Sequence, residues 1–124
     1  MKTVIQIRKA LDHLLKKDKD VFVIGEDILD PYGGAFKVTQ GLSKKFPKQV
    51  ISTPISESGF TGIATGMTFL GLKPIVEIMF NDFLTLITDI VINSASKFDW
   101  FSNKKITGKL IIRTPGGGGR GYGP

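Results

Sequence analysis

The sequence has no cysteine and only one histidine among its 124 residues. Without cysteine the chain can form no disulfide, offers no thiolate nucleophile and provides no sulfur ligand for a metal ion. The single histidine, His13, argues against a metal site built by this chain alone. Redox chemistry carried out by the protein's own side chains is therefore excluded.

Long apolar runs are also missing. No stretch approaches the roughly 18 residues needed to span a bilayer, and the first residues lead into an amphipathic pattern rather than the core of a signal peptide. We therefore expect a cytoplasmic protein with no membrane partner. The length, with 41% hydrophobic and 23% charged residues, is typical of one ordinary globular domain.

The basic charge is spread in short clusters. The net charge of +6 and the pI near 9.7 would suit an anionic partner. The lysines, however, fall near the ends of predicted elements, where they meet water or favour a helix C-terminus. We interpret them as solvated surface and expect no nucleic-acid partner, although a basic nucleic-acid-binding module stays as an alternative. The clusters are Lys16, Lys17 and Lys19, then Lys44, Lys45 and Lys48, then Lys104, Lys105 and Lys109.

Helical and strand patterns alternate along the chain. The first helix has apolar residues at three-to-four spacing from Val4 to Leu15, with Thr3 as its cap. This alternation predicts an α/β fold with an open, mostly parallel sheet sandwiched between helices. The predicted strands are 21–25, 50–53, 74–79 and 110–113, and the later helices are 38–46, 56–70 and 83–100.

Ligands of open α/β sheets bind beyond the carboxyl ends of the strands. The segments directly after the predicted strands should therefore meet at one rim. They are Glu26-Asp27, Pro54-Ile55-Ser56-Glu57, Phe80-Asn81-Asp82-Phe83 and the glycine-rich run that follows Arg113.

Glu57 has small or apolar neighbours, Ile55, Gly59 and Phe60. In such a setting a carboxyl group resists ionisation and can share a proton, which suits an acid-base residue. The alternative is an ordinary first-turn glutamate, with Thr53 or Ser56 as the helix cap. The local sequence leaves both interpretations open.

The glycines that follow need a packing explanation. Gly59, Gly62 and Gly66 lie inside a predicted helix, where each glycine costs about 0.5–1 kcal/mol relative to alanine. We expect this helix to pack closely on its own sheet, on a ligand or on another subunit.

Two further segments could form a binding surface. Phe80 and Phe83 flank two polar residues and could offer a face to a planar ring, or belong to the core. The glycine run after Pro115 could cradle a phosphate or contact RNA, but the lysine-serine or lysine-threonine pair of a P-loop is absent.

Taken together, several segments resemble one known family, the pyrimidine-binding domain in the beta subunit of thiamine-diphosphate-dependent 2-oxo acid dehydrogenases of the pyruvate, branched-chain and acetoin type. The resemblance covers nearly the whole chain, and the order and spacing of the segments make it specific. The segments are Gly25-Glu26-Asp27, residues 32–39, Thr53-Pro54-Ile55-Ser56-Glu57, residues 59–66, residues 71–77, residues 92–97, Arg113-Thr114-Pro115 and residues 120–124.

The resemblance implies roles for three residues. Glu57 would share a proton with the aminopyrimidine nitrogen opposite the 4-amino group and so activate thiamine diphosphate, which decarboxylates a 2-oxo acid before the acyl group passes to a lipoyl group. Phe83 would pack on the aminopyrimidine ring, and Glu26 would lie near the cofactor at the subunit junction. Leu86 stands where pyruvate-type members have glutamine, which leaves the substrate class open.

The resemblance also implies partners. The diphosphate and its Mg²⁺ would bind mainly to an alpha subunit, since no Gly-Asp-Gly motif is present here. A second beta subunit would complete a heterotetramer, and the acyltransferase of the complex would carry the lipoyl group. We expect residues 1–124 to form the pyrimidine-binding domain as part of a longer chain, with the active-site histidine beyond Pro124. A transketolase-group enzyme acting on ketose phosphates is the main alternative.

Overall fold

A computed structural model describes residues 2–103, 105–117 and 119 of the chain. Two parts of the sequence discussed above lie outside the described residues. They are residues 120–124, which form one segment of the family resemblance, and part of the glycine run. The described part forms a single sheet with helices on both of its faces.

The sheet contains four parallel strands. They are β1 (Val21–Gly25), β2 (Val50–Ser52), β3 (Lys73–Glu77) and β4 (Ile111–Arg113), and their order across the sheet is β2-β1-β3-β4. The central strands β1 and β3 are buried along most of their length, as expected for strands covered on both faces. The predicted open, parallel α/β architecture is confirmed.

Four α-helices surround the sheet: α1 (Thr3–Lys17), α2 (Leu42–Lys45), α3 (Glu57–Phe69) and α4 (Ser96–Phe101). A 3-10 turn, Ala35–Lys37, precedes α2. A 3-10 helix, Asn81–Ile87, and a π-helix, Ile90–Ala95, lead into α4.

Two apolar clusters fill the two faces of the sheet, because side chains alternate along each strand. Leu11 and Leu15 of α1 pack with Val23 and Ile75 on one face, together with residues of the α2 region. On the other face, Phe60 and Ala64 of α3 belong to a cluster with strand residues, which extends to Ile87. The second cluster is the one that supports the candidate site.

The predicted cap of the first helix and the predicted second helix both need correction. Thr3 does not cap α1, because it is already the first helical residue, and no side-chain hydrogen bond caps this end. The helix predicted over 38–46 is reduced to the single turn of α2. Phe36, Lys37 and Gly41 have positive φ angles of 55°, 62° and 85°, which a continuous right-handed helix does not allow.

The helix predicted over 83–100 is helical but irregular. Its first part is a seven-residue 3-10 helix, longer than is usual for that form. The hydroxyl groups of Thr85 and Thr88 donate to the carbonyl oxygens of Asp82 and Leu84, and such bonds compete with the regular backbone pattern. These hydroxyl bonds account for part of the irregular helix geometry. The spacing of apolar residues in the sequence does not predict that geometry.

Candidate functional site

The carboxyl ends of the four strands lie at one edge of the sheet, which we call the rim. Gly25 is in register with Ser52 and Glu77, and Glu77 is in register with Arg113. The segments that follow are joined by backbone hydrogen bonds. Thr53 N–H donates to Gly25 O at 3.0 Å, and Asn81 N–H donates to Pro115 O at 3.1 Å.

Glu26 follows β1 directly and is 6% exposed. Burial raises the pKa of its carboxyl group, and the neighbouring carboxylates of Glu57 and Asp27 raise this pKa further. The next residue, Asp27, has a φ of 52°, a left-handed conformation that non-glycine residues adopt at a cost. Backbone strain of this kind clusters at functional sites.

Glu57 is the first residue of α3 and is also 6% exposed. The expected shielding by Ile55 is wrong, because that side chain is 81% exposed, whereas Phe60 is buried. Ser56 is the N-cap residue of α3, as the capping alternative predicts, but it makes no side-chain capping bond, and the Thr53 hydroxyl has no partner among the described residues. The structure thus brings together two buried glutamates, close enough that the charge of Glu57 acts on Glu26.

Phe83 lies in the 3-10 helix, which contacts α3. Its ring is half-buried and packs against the cluster that contains Phe60 and Ile78. It also meets Phe80 in an edge-to-face contact, with the ring centroids 5.9 Å apart. The packing interpretation of Phe83 is therefore confirmed, while its contact with a cofactor ring stays a prediction.

Polar atoms that are shielded and lack a hydrogen-bond partner concentrate at the rim. Within the described ranges seven such side-chain atoms occur, and five of them belong to rim residues: Glu26 Oε2, Thr53 Oγ1, Glu77 Oε2, Asp82 Oδ2 and Arg113 Nε. Buried polar groups in folded proteins normally have partners. The rim is therefore the part of the chain best suited to a polar ligand or a polar partner.

One polar feature of the rim was not predicted from the sequence. Arg113, the last residue of β4, donates a hydrogen bond to Oε1 of Glu77, the last residue of β3. Burial raises the pKa of Glu77, while the hydrogen bond and charge of Arg113 lower it. The sequence gives only a weak signal for this pair, because Arg113 ends the predicted strand 110–113 but Glu77 lies inside the predicted strand 74–79, and the two strands are not known to be neighbours.

The glycines of α3 have different surroundings. An added Cβ at Gly59 would come within 2.5 Å of the Ser56 hydroxyl oxygen, whereas one at Gly62 would touch only the tip of Ile90. At Gly66 it would meet no described atom within 4 Å. Close packing within this chain therefore explains the first of these glycines, but neither of the others.

Residues 2–103, 105–117 and 119 contain neither a cluster of metal ligands nor a membrane-spanning helix. No three carboxylate or imidazole side chains there come together as a possible metal site. None of the helices in these ranges is both long enough and apolar enough to cross a bilayer.

Comparison with known proteins gives a consistent result. Residues 1–122 match the family model described as transketolase, pyrimidine binding domain. The chain is 45% identical over 112 residues to the pyruvate dehydrogenase E1 component subunit beta of Rickettsia conorii, which covers 90% of this chain and 34% of that protein. The mitochondrial subunit beta-1 of Arabidopsis thaliana is 42% identical over 118 residues, with 94% of this chain and 32% of that protein covered. The chain thus spans about a third of the length of these curated relatives.

Proposed function

This chain belongs to the transketolase pyrimidine-binding domain family, and from that membership we propose that it is the aminopyrimidine-binding half of a thiamine-diphosphate-dependent 2-oxo acid dehydrogenase. The relatives that match nearly all of it are named as beta subunits of the pyruvate dehydrogenase E1 component. The observation that carries the proposal is the pair of buried carboxyl groups, Glu26 and Glu57, together with the half-buried ring of Phe83, whose 3-10 helix contacts α3.

The rim residues fit the aminopyrimidine ring of thiamine diphosphate. That ring has apolar faces and polar edges, and the segments at the rim offer both an aromatic ring and buried acceptors, of which Glu26 Oε2 has no protein partner within the described residues. When bound, the cofactor supplies the carbon nucleophile that adds to the oxo group of the substrate and allows carbon dioxide to leave.

Glu57 is proposed as the acid-base residue of this chain. It would hold a proton at the ring nitrogen opposite the 4-amino group, and its burial keeps competing water away from that hydrogen bond. The first-turn position in α3 fixes the backbone that carries the carboxyl group. This role requires a side chain that can both give and accept a proton, as a carboxyl group can.

Glu26 and Phe83 are proposed to bind the same ring without transferring its proton. The pKa of Glu26 is raised, so Glu26 holds a proton more readily than an exposed glutamate, and its protonated form can donate a hydrogen bond. Phe83, held by Phe80 and the cluster behind it, would support one face of the ring.

The remaining parts of the site are proposed to come from partners. An alpha subunit would bind the diphosphate and Mg²⁺, a second beta subunit would complete a heterotetramer, and a lipoyl-bearing acyltransferase would accept the acyl group.

The cytoplasmic location expected from the sequence stays a prediction, since the relative from Arabidopsis thaliana is named as mitochondrial.

The test is an assay of the complete assembly with two classes of substrate. Thiamine-dependent decarboxylation of a 2-oxo acid such as pyruvate, with no transfer from ketose phosphates, is the expected result. Activity on ketose phosphates alone would instead favour a sugar-phosphate transferase of the same group. Tight RNA binding that survives near-physiological salt, without either activity, would favour the nucleic-acid-binding alternative.

A further inference from the structure

Glu77 lies at the centre of the rim. It is in register with Gly25 at the end of β1 on one side and with Arg113 at the end of β4 on the other. A Cβ atom on Gly25 would lie 2.5 Å from the Glu77 carbonyl oxygen, so only glycine lets these two strands approach so closely here. Because Glu26 follows Gly25 directly, Glu77 is packed against the strand that presents Glu26.

The ion pair between Arg113 and Glu77 is well shielded, since the two side chains are 18% and 3% exposed. Glu77 Oε2 and Arg113 Nε are buried and find no partner in the described part of the chain. A buried ion pair often contributes no more to stability than apolar side chains of similar volume would. Stability alone therefore gives little reason for a charged pair at this position.

The backbone beyond the pair leads to Phe83. Ile78 N–H donates to Arg113 O at 2.8 Å, and Asn81 N–H donates to Pro115 O at 3.1 Å. Phe83 N–H then donates to Phe80 O at 3.0 Å, which forms the first turn of the 3-10 helix. The end of β4 therefore lies along the segment that places the ring of Phe83.

Resting on the function proposed above, we propose that Arg113 is a positioning residue for the cofactor ring. Its ion pair with Glu77 holds the end of β4 against residues 78–81, and this contact fixes Phe83 in place. Arg113 does not touch the cofactor in this role. It acts on binding through Phe83 and leaves the proton chemistry to Glu57.

Strand β3 offers a control ion pair that lies far from the rim. At its opposite end, four residues and roughly 13 Å away, Lys73 forms an ion pair with Asp18 at 2.6 Å. Arg113→Met and Lys73→Met each remove one ion pair from the same strand, one at the rim and one far from it. The assembly carrying each variant is compared with wild type in melting temperature, in the KM for thiamine diphosphate and in kcat at saturating cofactor.

The expected result is a rise of about tenfold in the cofactor KM for Arg113→Met, because a displaced binding group loses much of its contact. The kcat at saturation should change little, and Lys73→Met should leave the KM unchanged. Arg113→Lys, which keeps the charge, should restore most of the binding. In a Phe83→Ala background, Arg113→Met should cause no further rise in KM.

Other outcomes separate this inference from the proposed function. If the wild-type assembly does not bind thiamine diphosphate, the proposed function fails and the inference fails with it. An unchanged KM in Arg113→Met, or an effect fully additive with Phe83→Ala, overturns the positioning role and leaves the proposed function intact. If Arg113→Met does not fold, Arg113→Gln, which removes the charge but keeps a hydrogen-bond donor, decides the question, and a cofactor KM equal to that of Lys73→Met refutes the role.

Discussion

The two ion pairs at opposite ends of β3 should differ sharply in their effect on stability. Glu77→Gln removes the charge that pairs with Arg113 and leaves an uncompensated guanidinium that is only 18% exposed. Breaking a buried pair in this way costs about 3–5 kcal/mol. Lys73→Met breaks a pair whose side chains are 40% and 30% exposed, and exposed pairs contribute about 0–1 kcal/mol.

A domain of this size is stable by only about 10 kcal/mol, so Glu77→Gln should remove roughly a third of the free energy of unfolding. Urea denaturation of the purified variants at pH 7, followed by far-ultraviolet circular dichroism, measures both changes. The Lys73→Met effect should also shrink at 1 M salt, because exposed charges are screened and buried ones much less so. Equal, small losses in the two variants would show that the Glu77 carboxylate is accessible to water, contrary to the structure.

Three further predictions concern the site. Phe83→Ala should weaken binding of thiamine diphosphate to the assembly through loss of an aromatic packing surface, and an unchanged dissociation constant in a calorimetric titration would assign Phe83 to the core alone. The folded-state pKa of Glu26 is raised above the ordinary 4.5. The wild type should therefore lose stability relative to Glu26→Gln as the pH rises from 4.5 through that raised pKa. Denaturation curves in which the stability difference between the two proteins stays constant from pH 4 to pH 8 would contradict this prediction. The isolated chain should bind thiamine diphosphate and Mg²⁺ too weakly to support decarboxylation, and micromolar binding by a monomer would refute the half-site proposal.

The sheet could be predicted from the sequence because its strands carry strong local signals. Five apolar or small residues, Val21–Gly25, stand between Asp20 and Glu26, and the structure gives the strand the same limits. The start of α3 was placed within one residue, since Pro54 and the polar Ser56 end the preceding extended segment. Alternation of such elements then determines the parallel arrangement, and with it the edge at which a ligand would bind.

The irregular helices could not be predicted in the same way. Periodic apolar residues indicate that 83–100 is helical, but the change to 3-10 geometry involves threonine hydroxyl bonds that are set by the folded backbone. Likewise, the predicted helix 38–46 is interrupted at Gly41, which has a φ of 85°, and Phe36 and Lys37 before it adopt left-handed conformations that their residue types do not predict. These are local conformations imposed by tertiary packing.

The candidate site shows the same division between local and distant causes. The sequence predicted that Glu26 follows a strand and that Glu57 lies at the start of a helix. Both side chains are buried. The surroundings of Glu57 were predicted only in part, since Ile55 is exposed whereas Phe60 is buried. The pairing of Glu77 with Arg113 spans 36 positions and depends on β3 and β4 being adjacent, which the sequence does not state.

The proposed function depends on Glu57 sharing a proton with the aminopyrimidine nitrogen opposite the 4-amino group, and one measurement tests this role most directly. The turnover of a 2-oxo acid is compared between wild-type and Glu57→Gln assemblies at saturating thiamine diphosphate, with the melting temperature of each as a check on folding. An amide has nearly the same shape but cannot share the proton, so turnover should fall at least about 100-fold while the fold remains. Wild-type turnover in a folded, cofactor-saturated Glu57→Gln assembly would contradict the account.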